Sequence, residues 1–320
     1  MFSWKSLSSP FFVLAPMEDV TDTVFRRIVA SCARPDVFIT EFVNTDGMFS
    51  EGKDIVSQRL SFTEDERPLI AQVWGIHPEA YYLAAKKIVD LGFDGIDINM
   101  GCPQKHVVGG GACAALIKNH ALTKEIIDAT RRGLYDAGRS IPFSIKTRIG
   151  YSSIATEEWI GFLLSFKLDA LTVHGRTAKE MSKVPAHWDE IGKAVKIRNE
   201  IAPETVVIGN GDVKSREDGL QKAKESGVDG IMIGRGIFEN PWIFDKEQHV
   251  HSVKEHLTLL TQHAELFHQT WHGIKPFQVI KKYFKIYVRG FDGASDLREK
   301  LMTCESREEV RSIIENALLS

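Results

Sequence analysis

The chain has 320 residues, of which 43% are hydrophobic, and its formal net charge is −3. This composition supports one large globular domain with a smaller one, and it excludes a chain that is basic throughout, so any nucleic-acid surface must be local. Four widely spaced cysteines without a CxxC pair favour neither a zinc site nor a disulfide framework.

The expected location is the cytoplasm. Unpaired cysteines suit a reducing compartment. The apolar run between Pro10 and Pro16 is short and is soon followed by acids, which disfavours a signal peptide. No apolar stretch approaches the roughly 20 residues of a membrane span.

Eight short apolar runs predict the strands of a parallel sheet covered by helices. Amphipathic patterns between them predict helices, for example over 77–91, 122–138 and 215–227. This alternation fits a (β/α)8 barrel, with a doubly wound sheet as the alternative. The predicted strands cover 12–16, 37–42, 69–74, 95–100, 143–148, 170–175, 206–211 and 230–235.

The last part of the chain shows only helical patterns, over about 250–272, 276–290, 294–303 and 306–318. We therefore predict a barrel over residues 1–245 and a small all-helical domain over residues 246–320. Residues 275–300 hold seven lysines and arginines against three acids, with aromatic residues between them. Such a stretch is either a solvated helix face over a core or a nucleic-acid surface.

Polar residues collect at the carboxyl ends of the predicted strands, where barrel enzymes place their active sites. Lys146 and Arg148 are two apart on one strand and share a face, so an anionic ligand between them is favoured. The glycines after strands seven and eight either bind phosphate or make tight turns. Gln72 and His174 are either ligand contacts or polar core residues. The strand ends carry Pro16-Met17-Glu18, Glu41, Gln72, Asn99 with Cys102, Lys146 with Arg148, His174 with Arg176, Asn210-Gly211-Asp212 and Gly234-Arg235.

Cys102 lies on a corner between Gly101 and Pro103, directly after an apolar strand. Proline ends the strand and glycine permits a sharp turn, so the thiol is expected at the mouth of the barrel. The other thiol nearby, Cys113 in GACAAL, has the surroundings of an inert core cysteine.

Six segments in series resemble the tRNA-dihydrouridine synthases over nearly the whole chain: LAPMEDVTDTVFR, DINMGCP, SIKTRIG, TVHGRT, VIGNGDV and GIMIGRGIFENPWIF. The C-terminal KKYFKIYVRGFDGASDLREKL resembles the helical domain of that family. The resemblance implies an FMN enzyme that reduces chosen tRNA uridines to 5,6-dihydrouridine with NADPH. It implies hydride transfer from flavin N5 to uracil C6 and proton transfer from Cys102 to C5.

The same resemblance implies the site residues. Substrate contacts are expected from Arg148 and Arg176 at the mouth, and from Lys281, Lys282, Lys285 and Arg289 in the helical domain. No metal and no membrane partner are expected, and we expect a monomer. The implied FMN contacts are Pro16, Met17, Glu18, Gln72, Lys146, His174, Asn210, Gly211, Asp212, Gly234 and Arg235, to which we add Asn99.

Two other functions stay open at this point. A small-molecule FMN reductase of the dihydroorotate or dihydropyrimidine type would also use a barrel and a cysteine loop, but it leaves the basic helical tail unexplained. A non-catalytic RNA-binding barrel would bind no flavin. The sequence does not identify which uridine is reduced.

Overall fold

The structure, a computed structural model, describes residues 2–247 and 249–319. Met1, Gln248 and Ser320 fall inside the two predicted domain ranges and lie outside the described residues. The described strands are β1 (Phe11–Leu14), β2 (Val37–Ile39), β3 (Val43–Asn44), β4 (Leu69–Trp74), β5 (Gly95–Met100), β6 (Phe143–Arg148), β7 (Ala170–His174), β8 (Val206–Asn210) and β9 (Gly230–Ile233).

These strands form one closed parallel sheet, so the predicted barrel is confirmed. Each strand from β4 to β9 pairs with the next one along the chain, and β1 pairs with β9 to close the ring. β2 pairs with both β1 and β4, while β3 pairs with β4. β2 and β3 therefore occupy one interrupted position of an eight-position barrel, where a single strand over 37–42 was predicted.

Helices follow the strands around the barrel, as the periodic patterns predicted. Their glycine-terminated ends have a physical basis, because Gly92, Gly138 and Gly227 all adopt positive φ just beyond or at a helix end. Ser215 accepts a hydrogen bond from the Asp218 N–H as the N-cap of its helix. The barrel helices are α1 (Thr23–Cys32), α2 (Lys53–Ser57), α3 (Pro78–Asp90), α4 (Lys105–Gly109), α5 (His120–Asp136), α6 (Gly161–Leu164), α7 (Trp188–Ile201) and α8 (Arg216–Ser226).

The C-terminal stretch is helical, as predicted. A 3-10 segment over Phe277–Tyr283 leads into α10, where a single helix over 276–290 was predicted. Among the described residues, no helix has the length and apolar content that crossing a bilayer would need. The helices are α9 (Val253–Trp271), α10 (Phe284–Tyr287), α11 (Ala294–Thr303) and α12 (Arg307–Leu319).

The chain divides into two compact units. The first contains Met1–Thr23 and Pro35–Gly236, and the second contains Val24–Arg34 and Ile237–Ser320. The second unit thus begins at 237, earlier than the predicted 246, and it also takes in most of α1. Within it, Phe25 of α1 stacks on Tyr283, with ring centroids 5.2 Å apart. An early helix that packs with the tail cannot be recognised from local sequence.

The barrel interior changes from apolar to polar along the strands. A buried cluster that includes Trp4, Phe11, Ile70 and Ile208 fills one part of it. Alternate residues of a strand share a face, so Gln72 follows Ile70 and Asn210 follows Ile208 on the inner side. The polar residues therefore lie toward the carboxyl ends of the strands. The candidate site is at this end of the barrel.

Four aspartates at the amino ends of the strands make the same hydrogen bond, in which the carboxylate accepts a backbone N–H of a neighbouring strand. Each immediately precedes a strand and accepts the N–H at the start of the preceding barrel strand. Because an unpaired buried N–H is costly, each carboxylate stabilises the first rung of a strand pair. The pairs are Asp36 with Phe12, Asp94 with Leu69, Asp169 with Phe143 and Asp229 with Val207, at 2.7–2.9 Å.

Replacing Asp94 with alanine is expected to lower the free energy of unfolding by about 2 kcal/mol. The change leaves the N–H of fully buried Leu69 without its acceptor and removes the ion pair with Arg67, whose Nη1 lies 3.0 Å from Asp94 Oδ2. Urea denaturation measures the loss. Asp94→Asn keeps an oxygen acceptor and should lose about half as much, and exposed Asp90→Ala should change stability by under about 0.5 kcal/mol. Equal losses of stability for Asp94→Ala and Asp90→Ala would show that the hydrogen bond from the Leu69 N–H to Asp94 does not stabilise the strand pair.

Candidate active site

Two backbone N–H groups of the Cys102 corner are held by one side chain, Asn99. The Asn99 Oδ1 accepts the N–H of Gly101 at 3.0 Å and the N–H of Cys102 at 2.9 Å. Asn99 is the penultimate residue of β5, so the strand itself fixes the start of the loop. These two hydrogen bonds make the corner rigid. The Cys102 thiol is half-buried, so its sulfur keeps some exposure.

The Cys102 thiol is held in its protonated form. Burial raises the pKa of this thiol above its ordinary value, and the nearby charge of Glu18 raises it further. A backbone hydrogen bond at Gln104 and the cations Arg148 and Lys146 act in the opposite direction, with a smaller total effect. At neutral pH the group is a thiol and can donate a proton.

A chain of hydrogen bonds leads from this corner into the barrel. The Asn99 amide donates to Gln72 Oε1 at 3.1 Å, and the Gln72 amide donates to Asp97 Oδ2 at 2.7 Å. Asp97 Oδ1 accepts from the Ser144 hydroxyl at 2.6 Å. A carboxylate can only accept, so it fixes the orientation of both amides in turn. Gln72 and Asn99, two of the predicted site residues, are thus brought together.

Asp97 is a site residue that the sequence analysis missed. It is fully buried, and burial raises its pKa to about 6, against the effects of its hydrogen bonds with Ser144 and Gln72 and the charge of Lys146. The available signal was an acid inside an otherwise apolar strand, two residues before Asn99 and on the same face.

Lys146 is a cation without a hydrogen-bonding partner in the described part of the chain. It lies beside Asn99 on β5 and Thr172 on β7 in the strand register. Burial of the ammonium group lowers its pKa to about 8, and the charge of Arg148 lowers it further, while Asp97 and Cys102 act the other way. Lys146 is half-buried, and an unpaired, partly desolvated cation is costly and is the kind of group that concentrates at ligand sites.

Arg148 braces two loops. Its Nε donates to the Gly101 carbonyl at 2.6 Å, and its Nη1 donates to the carbonyls of Thr177 and Met181 at 3.1 and 3.2 Å. The side chain is 7% exposed. These bonds tie the Cys102 loop to the loop after β7, and the predicted contact of Arg148 with substrate stays a prediction.

His174 is a neutral imidazole at the end of β7. Burial lowers its pKa well below the ordinary value, and the cations Arg148, Lys146, Arg176 and Arg235 lower it further. Its Nε2 lies 3.4 Å from Arg176 Nη1, which can only donate. The Nε2 atom therefore accepts, and the ring proton is assigned to Nδ1.

Arg176 and Asp212 join the loops after β7 and β8. Arg176 is 2% exposed, donates from Nε to the Val184 carbonyl at 2.6 Å, and pairs with Asp212. Burial on its own would raise the pKa of Asp212, but hydrogen bonds from Arg176 and the Ala186 N–H, with the charges of Arg176 and Arg235, hold it below the ordinary value. Asp212 is thus an anion that pairs with both Arg176 and Arg235.

The glycine loops after β8 and β9 lie next to this network. Asn210 donates to the Met232 carbonyl at 2.9 Å, which joins the two strands near their ends. Gly211 has φ +131°, and a Cβ there would lie 2.7 Å from the Ala186 Cβ, so only glycine fits. In the described part of the chain, the N–H groups of Gly211 and Asp212 have no backbone or side-chain acceptor. Arg235 is exposed, and its Nη2 lies 3.5 Å from Asp212 Oδ1.

The predicted residues after β1 also face this end of the barrel. Pro16, Met17 and Glu18 are half-buried, and a Cβ on Gly234 would lie 3.9 Å from the Met17 sulfur. Glu18 pairs with Arg59 at 3.4 Å. The loops after β1 and β9 therefore meet here.

The predicted RNA contacts of the second unit have mixed surroundings. Lys282 and Lys285 are exposed. Lys281 Nζ donates to the Met302 carbonyl at 2.7 Å, and Arg289 pairs with Glu239 and donates to the Phe238 carbonyl at 3.2 Å. Lys282 and Lys285 are thus more exposed than Lys281 and Arg289, which are half-buried. Within the described residues, no group of three or more His, Cys, Asp or Glu side chains is arranged as a metal site.

Comparison with solved structures shows the fold. A mutant of morphinone reductase in complex with tetrahydroNAD superposes with a TM-score of 0.50 at 13% identity, covering 74% of this chain and 86% of that one. A 2-naphthoyl-CoA reductase complex gives a TM-score of 0.54 at 9% identity, covering 73% and 49%.

Comparison of sequences shows the family. A protein named probable tRNA-dihydrouridine synthase 2 from Bacillus subtilis is 46% identical over 316 residues, covering 98% of this chain and 95% of that protein. A probable tRNA-dihydrouridine synthase from Staphylococcus aureus is 45% identical over 315 residues, covering 98% and 94%. The family model described as dihydrouridine synthase matches residues 13–320, and this chain belongs to the dihydrouridine synthase family.

Proposed function

We propose that this chain is an FMN-dependent oxidoreductase that uses NADPH to reduce selected uridines of tRNA to 5,6-dihydrouridine, with Cys102 as the proton donor. Family membership and the names of its relatives support the reaction. The observation that carries the assignment of roles is the Cys102 corner, where a protonated, half-buried thiol lies among the strand-end groups of a barrel mouth.

The mouth fits a flavin mononucleotide on three observations. Lys146 is a half-buried cation that lacks a hydrogen-bonding partner among the described side chains and suits an anionic ring edge. The N–H groups of Gly211 and Asp212, which have no acceptor in the described ranges, suit a phosphate with Arg235 beside them. Asn99 and Gln72 present oriented amides. The proposed holding set is Pro16, Met17, Glu18, Gln72, Asn99, Lys146, His174, Asn210, Gly211, Asp212, Gly234 and Arg235.

Each residue of the site has a separate role in the proposed reaction. A bound reduced flavin supplies the hydride that the pyrimidine accepts at C6. Cys102 holds a proton on its sulfur for C5, and Asn99 fixes the loop that aims it. Asp97 fixes the two amides, and Arg148 ties the neighbouring loops to the corner. His174 stays neutral, so it binds by hydrogen bonding and adds no charge to a crowded cationic mouth.

The helical unit is proposed to bind tRNA, since a uridine in folded tRNA must leave its stack to reach a barrel mouth and backbone contacts must hold the RNA. Lys282 and Lys285 are exposed residues and are proposed for this role, with Lys281 and Arg289 beside them in the chain. Arg148 and Arg176 at the mouth are the proposed contacts to the target nucleotide.

The test compares substrates with the purified protein. We expect a yellow protein that oxidises NADPH faster when tRNA lacking dihydrouridine is added, and that forms dihydrouridine in that tRNA. Turnover of free uracil or dihydroorotate without a response to tRNA would instead identify a small-molecule reductase. A protein that binds tRNA but takes up no FMN would identify a non-catalytic RNA-binding barrel.

A further inference from the structure

Lys118, Tyr151 and Lys179 form a cluster on the first unit that the proposed site does not use. Lys118 Nζ lies 4.1 Å from the centroid of the Tyr151 ring, and Lys179 Nζ lies 5.9 Å from the same centroid. The two ammonium groups are therefore no more than about 10 Å apart. We call these three residues the lysine–tyrosine cluster.

The cluster is built at the carboxyl rim of the barrel. Lys118 ends a 3-10 helix, Cys113–Lys118, that lies between β5 and α5. Tyr151 follows β6 by three residues, and Lys179 follows β7 by five. All three loops leave the carboxyl ends of strands, which is also where Cys102 lies.

Backbone hydrogen bonds connect the cluster to the Cys102 corner. The Ala114 N–H at the start of the 3-10 helix donates to the Cys102 carbonyl at 3.3 Å. The Ala178 and Lys179 N–H groups donate to the carbonyls of Gly150 and Tyr151, both at 3.0 Å. Since Arg148 also spans Gly101 and Thr177, the three loops are braced against the corner. The cluster is therefore held at a fixed place relative to the thiol.

The charges of the cluster are available to a ligand. Lys118 and Lys179 are exposed, and neither forms an ion pair or a side-chain hydrogen bond within the described ranges. Residues 104–119 contain two lysines and no acid. The one acid beside Lys179, Glu180, is already engaged by the Thr177 N–H at 2.7 Å and by His187 at 3.1 Å. Two fixed, unneutralised ammonium groups at an active-site rim suit two phosphates of one chain.

We propose that the lysine–tyrosine cluster grips the tRNA backbone beside the target uridine, with Lys118 and Lys179 on neighbouring phosphates and the Tyr151 ring holding both ammonium groups in place. This inference rests on the proposed function. It places RNA contacts on the barrel itself, next to the thiol, in addition to those proposed for the helical unit. A flipped nucleotide needs its flanking phosphates held, and cation–π contact keeps flexible lysines oriented for that task.

The first test is the salt dependence of tRNA binding by the FMN-loaded protein. Each phosphate contact contributes about 0.7 to 0.9 to the slope of log affinity against log salt. Lys118→Ala/Lys179→Ala should reduce that slope by about 1.5, so that raising salt from about 50 to 200 mM weakens the wild type about eightfold more than the variant. The matched control, Lys196→Ala/Lys224→Ala, removes two exposed lysines from the outer helices α7 and α8 and should leave the slope unchanged.

The role of the ring is tested separately. Tyr151→Phe keeps the aromatic face and should keep the wild-type slope, whereas Tyr151→Leu should lose part of it. A Tyr151→Leu variant that binds like Tyr151→Phe would overturn the part assigned to the ring. The flavin absorbance per mole of protein shows that each variant is folded and loaded.

A second anion, the phosphates of NADPH, must be separated from RNA. The rate and NADPH dependence of flavin reduction without tRNA should be the same in Lys118→Ala/Lys179→Ala and in the wild type. A loss of NADPH affinity with an unchanged salt slope would assign the lysines to the dinucleotide and overturn the proposal. If the wild type reduces tRNA and the slope is unchanged in the variant, this inference fails alone. If the wild type does not act on tRNA, the proposed function fails.

Discussion

Replacing Cys102 with alanine is expected to slow the oxidation of reduced flavin by tRNA about 10²- to 10⁴-fold, the usual contribution of a positioned general acid. The reason is that the strand end holds one half-buried thiol whose raised pKa keeps its proton at neutral pH. His174 cannot take its place, because burial and four surrounding cations keep the imidazole neutral. Single-turnover mixing of the reduced enzyme with tRNA measures the step.

The flavin content of Cys102→Ala should match that of the wild type, because the loop is fixed by backbone N–H groups bound to Asn99 and not by the sulfur. Cys102→Ser should remain slow, since a hydroxyl is a far weaker acid than a thiol. Cys113→Ala is the matched control, because that thiol is fully buried beside the same loop. Wild-type kinetics in Cys102→Ala would remove the cysteine from the chemistry.

The pH dependence of the same step follows from the direction of the thiol's pKa shift. The pKa of Cys102 lies above its ordinary value, so the thiol stays protonated throughout the neutral range. The rate should therefore be level there and fall only at alkaline pH, as the thiolate forms. A rate that declined between pH 6 and 7, before Lys146 with its pKa of about 8 loses much of its charge, would point to a different proton donor.

Much of the barrel could be predicted from sequence because parallel strands covered on both faces are nearly continuous apolar runs. β4, β5 and β6 begin and end at the predicted residues. The break between β2 and β3 could not be predicted, since Thr40 and Glu41 lie in a run that is buried throughout and only the pairing with β4 reveals the interruption. The packing of Phe25 on Tyr283 is a contact of long sequence separation.

In the site, too, some features could be predicted from local sequence and others depend on contacts between distant parts of the chain. The strand-end positions of Gln72, Asn99, Lys146 and His174 follow from the fold alone. The partners of Arg148 do not, because its acceptors are backbone carbonyls of Gly101, Thr177 and Met181, whose positions depend on two separate loops. A side chain bound to carbonyls has no partner residue type that a sequence pattern could show.

Replacing Lys146 with methionine is expected to raise the free energy of unfolding at pH 7 by about 1 to 3 kcal/mol while impairing flavin-dependent turnover. The half-buried ammonium group is partly desolvated, lacks a hydrogen-bonding partner among the described residues and lies near the like charge of Arg148, and methionine keeps the apolar stem. Asp97 should tolerate the change, because its hydrogen bonds with Ser144 and Gln72 influence its pKa more than Lys146 does. Urea denaturation of the flavin-free protein measures stability, and NADPH oxidation with tRNA measures turnover.

The pH dependence of this stability difference isolates the charge. The folded-state pKa of Lys146 is about 8, below the roughly 10.4 of an unfolded lysine, so between these values the unfolded state binds more protons. Wild-type stability should therefore rise relative to Lys146→Met as pH increases from about 8 toward 10, and the two proteins should converge. Below pH 8 the difference should be constant, because the lysine is charged in both states.

Exposed Lys196→Met on α7 is the matched control, and it should change stability by under about 0.5 kcal/mol at any pH in this range. If Lys146→Met is less stable than the wild type at pH 7, the ammonium group is stabilised by the mouth and not strained by it. In that case the cation would be part of the fold, and its assignment to the ring edge of the flavin would lose its physical basis. A gain in stability with a loss of turnover is the pattern expected of a residue retained for its ligand.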